Sequence, residues 1–162
     1  MGLNQGMQPI AGYNYGAERF DRVMKVLKLT ILWATAAMTL GWVVCEFLPR
    51  YAALIFTTDE QMLTEIVRGM RINAYIFPLI GSQMVIGNFF QAIAKPWKAI
   101  FLSLSRQFLF LLPFLLWLPT FWEPAIDGVW YSMPASDLVS CITGFILLAV
   151  QIKQFKKKLA NP

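Results

Sequence analysis

The strongest constraint in this chain is where charge is missing. No Asp, Glu, Lys or Arg occurs from Leu29 to Cys45 or from Ile72 to Ala94. Ala99 to Leu118 and Val129 to Ile152 hold one charged side chain each, Arg106 and Asp137. A hydrocarbon core about 30 Å thick takes roughly 20 apolar residues to cross as a helix. Backbone groups in that medium must be bonded within the segment, which favours helices. The sequence therefore predicts an all-α membrane protein, a polytopic bundle with four complete crossings near 29–48, 72–94, 99–118 and 129–152. Composition agrees: 57% of the 162 residues are hydrophobic and only 14% charged, against about 25% charged in an ordinary soluble domain.

Four crossings place both ends of the chain on one side. That side receives Arg19, Arg22, Lys25 and Lys28, then Lys95 and Lys98, then Lys153 and Lys156–Lys158. The other side receives Arg50, Arg68 and Arg71, with the acids Glu46, Asp59, Glu60, Glu65, Glu123 and Asp127. Basic loops stay in the cytoplasm, so both ends are expected there, in a multi-pass membrane protein. The excess of 14 Lys and Arg over 9 acids is then a topology signal. The expected partner is the lipid bilayer, with no nucleic acid.

Local signals divide the chain further. Pro49 ends the first crossing. Thr57 with Glu60, and Thr58 with Gln61, have capping-box spacing and predict a helix start. Pro9, Pro78, Pro113 and Pro134 are candidate helix breaks; Pro78, for example, cannot donate to the carbonyl of Ala74. Gly12 and Gly16 offer exits from a first short helix. Ala37 with Gly41, and Ser136, Ser140 and Gly144, are small side chains at four-residue spacing, suited to close helix contact. Residues 119–128 read as a loop.

No enzyme chemistry is written here. The chain lacks His, and its two Cys, Cys45 and Cys141, lie in apolar runs, as small buried hydrophobes rather than metal ligands or a disulfide. No metal site or cofactor is expected. Transport instead needs polar groups facing a cavity at mid-membrane. At about 100° per residue, Asn73, Phe77, Ile80, Met84, Asn88 and Gln91 fall in one narrow arc of the second crossing. Amides in hydrocarbon need partners, so this face points into the bundle. It reads either as a wall for greasy, often cationic substrates, through Met84 and Phe77, or as interhelical amide bonding that holds the bundle together. Asn4, Gln5 and Gln8 carry the same two readings. Arg106 and Asp137 are the intramembrane charges. Counted from the ends of their crossings, their backbones differ in depth by about 10 Å, which argues against a direct pair and for separate structural anchoring, with protonation as the alternative role for Asp137.

The run Asn4-Gln5-Gly6-Met7-Gln8-Pro9-Ile10, followed by Gly12-Tyr13-Asn14-Tyr15-Gly16-Ala17, resembles the end of the eighth helix of the multidrug and toxic compound extrusion (MATE) family. The likeness continues through Phe56-Thr57, Asn88 to Pro96, Arg106-Gln107, Gly128-Val129-Trp130, Pro134 and Asp137, in the family's order and closest in flavour to its bacterial MepA-like members. It implies the C-terminal part of a twelve-helix, two-lobed fold, from late in helix eight onward. The chain would then be a partial C-terminal lobe lacking its N-terminal lobe, and inactive alone. It also implies antiport of organic cations and amphipathic drugs against Na⁺ or H⁺. Members with a cation site in this lobe carry acids on helices seven and ten; the stretch matching helix ten has none from Ile72 to Ala94. Two other readings stay open: a flippase of lipid-linked molecules from the same superfamily, and a small four-helix membrane scaffold or remnant without transport.

Overall fold

The computed structural model describes residues 2–122 and 125–160, and those residues form helices, with no strand among them. The order is α1 (Gly2–Gly16), α2 (Phe20–Phe47), α3 (Pro49–Leu54), α4 (Glu60–Ala74), α5 (Phe77–Ala92) and α6 (Pro96–Leu104). A π-helical segment (Ser105–Leu111) then leads into α7 (Leu112–Trp117), a 3₁₀ turn (Leu118–Thr120) and α8 (Ala125–Ala160). Three of these stretches are long and apolar enough to cross a membrane: Phe20–Phe47, Pro96–Thr120 and Ile126–Ala160.

The second crossing, 72–94, is two pieces, parted beside the candidate break Pro78. α4 ends at Ala74 and α5 starts at Phe77. Pro78, at the second position of α5, has no N–H for the carbonyl of Ala74. The Ile76 carbonyl restarts the ladder, accepting from the N–H groups of Leu79 (3.0 Å) and Ile80 (3.1 Å). Pro113 likewise sits where regularity changes, directly after the π-helical segment. Pro9 and Pro134 are not breaks: each lies inside a continuous helix. A single missing hydrogen bond is tolerated where packing on both sides of it holds the helix.

Other local expectations shift by a residue or more. Helix α4 is capped by neither Thr57 nor Thr58 but by Asp59, whose carboxylate accepts from the Gln61 N–H at 2.9 Å. Thr57 supports the cap by accepting from the Asp59 N–H at 3.2 Å. Gly12 is interior to α1, where a Cβ would meet the Ala92 carbonyl at 3.1 Å, so its smallness serves packing on α5. The chain leaves α1 after Gly16, through Glu18 at φ 56°. Residues 119–128 are not all loop, because α8 already begins at Ala125. Glu123, assigned above to the outer side, lies outside the described residues.

Helix α5 is the axle. It packs against α1, α2, α6 and α8, and buries Gly81, Ser82, Gln83, Val85, Ile86, Phe89 and Phe90. The small-residue seam with α2 is at Gly81 rather than Ala37: a Cβ on Gly81 would fall 2.8 Å from the Ala34 carbonyl and 2.9 Å from Met38, whereas Ala37 is exposed. On α8, Ser136, Ser140 and Gly144 are all buried. Toward the end of α8 an aromatic cluster closes the core, with Phe20 and Phe155 stacked at 5.0 Å and Phe89 edge-on to Phe155 at 6.5 Å.

Helix α5 ends in a left-handed cap. Ala94 has φ 55°, and the Lys95 N–H reaches back to the Phe90 carbonyl at 2.9 Å. An L-residue pays about 1–2 kcal/mol for that conformation and glycine does not, less glycine's larger chain entropy loss on folding. Ala94→Gly should therefore stabilise the fold by about 0.5–1 kcal/mol. Thermal denaturation in detergent checks this; an unchanged or lower midpoint would mean the cap is not strained.

Candidate functional site

The arc read from the sequence lines two hollows that share a border. The first, about 240 Å³, is bounded by Asn73, Phe77 and Ile80 on the α4–α5 side and by Gln107, Leu111, Met133 and Ser136 opposite. The second, about 200 Å³, is bounded by Gln83, Met84, Gly87, Asn88 and Gln91 on α5 and by Ala99, Leu102 and Ser103 on α6. Arg106 borders both. All six residues of the arc thus face these hollows, even though the helix carrying them is broken between Asn73 and Phe77.

The structure overturns the expectation that Arg106 and Asp137 stand apart. The Arg106 Nε donates to Asp137 Oδ1 at 2.6 Å, with Asp137 buried and Arg106 partly exposed to the hollows. The register of the α7–α8 hairpin explains this. Ser132 Oγ lies 3.0 Å from the Phe114 carbonyl, so those two positions are level. Counting equally down both arms brings Arg106 level with Ser140, three residues from Asp137. That is about 4.5 Å of depth, within reach of an arginine. The estimate of about 10 Å failed because it took each crossing from its hydropathy boundary instead of from the hairpin's contact.

The amides are partly committed already. Gln8 Nε2 donates to Asn88 Oδ1 at 3.1 Å, joining α1 to α5. Asn88 Nδ2 donates in turn to the Met84 carbonyl at 2.8 Å, and Asn73 Nδ2 to the Gly69 carbonyl at 3.0 Å. The side chains of Gln91 and Met84 are exposed on the hollow and make no such bond among the described residues. Gln5 is exposed and borders neither hollow; the structure does not bring it to the others. Different members of one face are thus engaged differently: Gln8 and Asn88 tie helices, while Phe77, Met84 and Gln91 border the hollows.

Gln83 was missed. It lies about 100° from the centre of the arc, so periodicity left it out. It is buried, donates to Ser140 Oγ and lies 3.4 Å from Cys141 Sγ. A buried amide in an apolar helix was the available signal. Chemically, the hollows offer an aromatic face, the thioethers of Met84 and Met133, amide groups and one ion pair of zero net charge. Such a surface suits an amphipathic organic molecule better than a small hydrated ion.

The sequence profile of the MatE family matches residues 1–117. The chain belongs to the MatE family. The MATE fold is evident too in a solved multidrug resistance MATE transporter of the MOP superfamily in its inward-facing conformation, which superposes with a TM-score of 0.89 at 19% identity over 97% of this chain and 36% of that one. The MATE multidrug transporter DinF-BH, solved in complex with R6G, matches with a TM-score of 0.84 at 37% identity over 92% of this chain and 33% of its own. A curated FAD transporter of Shewanella oneidensis is 22% identical over 91% of this chain and 32% of its own length. The segment spans about a third of these relatives. Its fold corresponds to part of a MATE-type, multi-pass membrane transporter.

Proposed function

We propose that the polypeptide containing this segment is a secondary active multidrug exporter, exchanging organic cations and amphipathic drugs for Na⁺ or H⁺ across a bacterial inner membrane, with both ends of this segment cytoplasmic. The observation that carries the reading is the single face of Asn73, Phe77, Met84, Asn88 and Gln91 bordering two adjoining hollows. Phe77 offers a ring face to a cation, and Met84 an adaptable, polarisable contact. The N-terminal lobe supplies the opposite wall, so alternating access requires it. The reading takes the coupling carboxylate from outside this segment, which is supported by the engagement of Asp137 by Arg106 and by the lack of an acid on α5.

Reconstitution in liposomes tests this. The complete polypeptide should move a fluorescent organic cation when a Na⁺ or H⁺ gradient is imposed, and the 162-residue chain should not. Phe77→Ala and Met84→Ala should each slow export about fivefold, the value of roughly 1 kcal/mol of lost contact. Transport by the short chain alone, or none by the complete polypeptide with either gradient, would overturn the reading.

A second reading rests on Arg106, which would meet an anionic amphipath such as the cargo named for the FAD transporter. Asp137 neutralises that guanidinium, which favours cationic or neutral cargo. The paired variant Arg106→Gln with Asp137→Asn separates the two: cation export persists under the first reading, and FAD movement is abolished under the second.

A further inference from the structure

At the far end of α8 from Asp137, Gln151 is 1% exposed. Its side-chain oxygen accepts from two ammonium groups, Lys95 Nζ at 2.8 Å and Lys98 Nζ at 3.1 Å. An amide oxygen carries no net charge. It therefore holds the two lysines in place without neutralising either. Lys98 also lies over the Phe90 ring at 5.2 Å, and Lys158 lies over the Phe20 ring at 5.5 Å. Ring faces orient a cation and compensate only part of its charge. The ion pairs among the described residues are Arg50–Glu60, Arg68–Asp127 and Arg106–Asp137, none of them at this cluster. The Lys95 ammonium feels the lack: burial lowers its pKa, and the charges of Lys98 and Lys158 lower it further.

Oriented like charges with no carboxylate paired to them among the described residues leave room for an anion that arrives from outside. The setting selects its source. Lys95 and Lys98 sit at the turn between α5 and α6, at the end of the membrane-length stretch Pro96–Thr120. Beside them Trp97, Ile100 and Phe101 are exposed, Trp97 at 80%. An exposed tryptophan next to lysines marks a membrane interface, and the apolar side chains below it meet acyl chains. A zwitterionic lipid would bring its own cation into the cluster, so the matching headgroup is a phosphodiester without one.

We propose that Lys95 and Lys98, held by Gln151, together with Lys158 over the Phe20 ring, bind the phosphate of an anionic phospholipid in the leaflet at this end of the bundle. The site is separate from the hollows along α5 and does not depend on which cargo they take or on the coupling ion.

The complete polypeptide purified in detergent provides the test, with thermal midpoints measured during titration with phosphatidylglycerol, phosphatidylcholine or inorganic phosphate. Phosphatidylglycerol should raise the midpoint, and the other two should leave it unchanged at equal phosphate concentration. The triple variant Lys95→Gln, Lys98→Gln, Lys158→Gln should weaken the apparent affinity on the order of 100-fold, about fivefold for each lysine. Gln151→Glu serves as a second variant that keeps the size of the side chain and every lysine. By supplying an internal counter-charge it should raise the lipid-free midpoint and abolish most of the phosphatidylglycerol shift. Lys153→Gln with Lys156→Gln should leave the shift intact. Equal shifts from phosphatidylcholine would overturn the proposal, as would a full phosphatidylglycerol response in Gln151→Glu. A response to inorganic phosphate alone would overturn the lipid source.

Discussion

Arg106→Gln destabilises this lobe by about 3–5 kcal/mol, the cost of stranding a buried charge. Asp137 is the reason. Its side chain is 8% exposed against 37% for Arg106, so removing the guanidinium leaves a carboxylate with little access to water. The reciprocal change, Asp137→Asn, costs less, about 2–3 kcal/mol, because the partly exposed Arg106 can turn toward the hollows it borders. The double variant removes both charges together and should be milder than Arg106→Gln alone, since a neutral pair of similar shape needs no counter-ion. Denaturation midpoints of the four proteins in detergent give the coupling directly. Additive effects, or a neutral Arg106→Gln, would mean the pair does not form in the folded protein.

That pair also shows what a sequence of this kind conveals and what it reveals. The all-helical class and the lining face were legible because both depend on composition and angular spacing. Asn73, Phe77, Met84, Asn88 and Gln91 kept one side even across the break at Tyr75–Ile76, since the spacing is only mildly disturbed by a short kink. The Arg106–Asp137 contact was not legible. Depth in a hairpin is set by where its two arms touch, here Phe114 against Ser132, and hydropathy boundaries do not encode that register. Caps and seams failed for a similar reason. Asp59 and Thr57 are both competent cap residues, and the choice between them depends on how α3 delivers the chain. Gly41 and Gly81 are both small, but only Gly81 lies where two backbones meet. The lysine cluster read simply as topology, because nothing in the sequence places Gln151 between Lys95 and Lys98.

The register that makes the ion pair predicts the second large effect, at Gly128. A Cβ there would lie 2.5 Å from Pro119 Cα, 2.6 Å from Pro119 N and 2.8 Å from the Leu118 carbonyl carbon. All three are backbone atoms, so no side chain can turn aside to make room. Conformational freedom is not the issue, because Gly128 has no positive φ; the position requires space alone. Below it, Ser132, fully buried, has its hydroxyl 2.6 Å from the Gly128 carbonyl and 3.0 Å from that of Phe114. Gly128→Ala must therefore push α8 away from the 3₁₀ turn and stretch the Ser132–Phe114 contact between the arms, shifting Asp137 relative to Arg106. Overpacking a core costs about 1–3 kcal/mol and occasionally more; with backbone on both sides the upper end applies, and little folded protein should elute as a single species in size-exclusion chromatography. Gly144→Ala is the matched control on the same helix: its Cβ would meet only side-chain atoms of Ile86 and Leu102 at 3.9 Å, ordinary contact, and it should elute as the parent does. If the two alanine variants behave alike, the tight turn at Pro119 does not set the hairpin's register. If only Gly128→Ala fails, the same close approach that excludes a methyl group is what brings a buried carboxylate within reach of an arginine on the opposite arm.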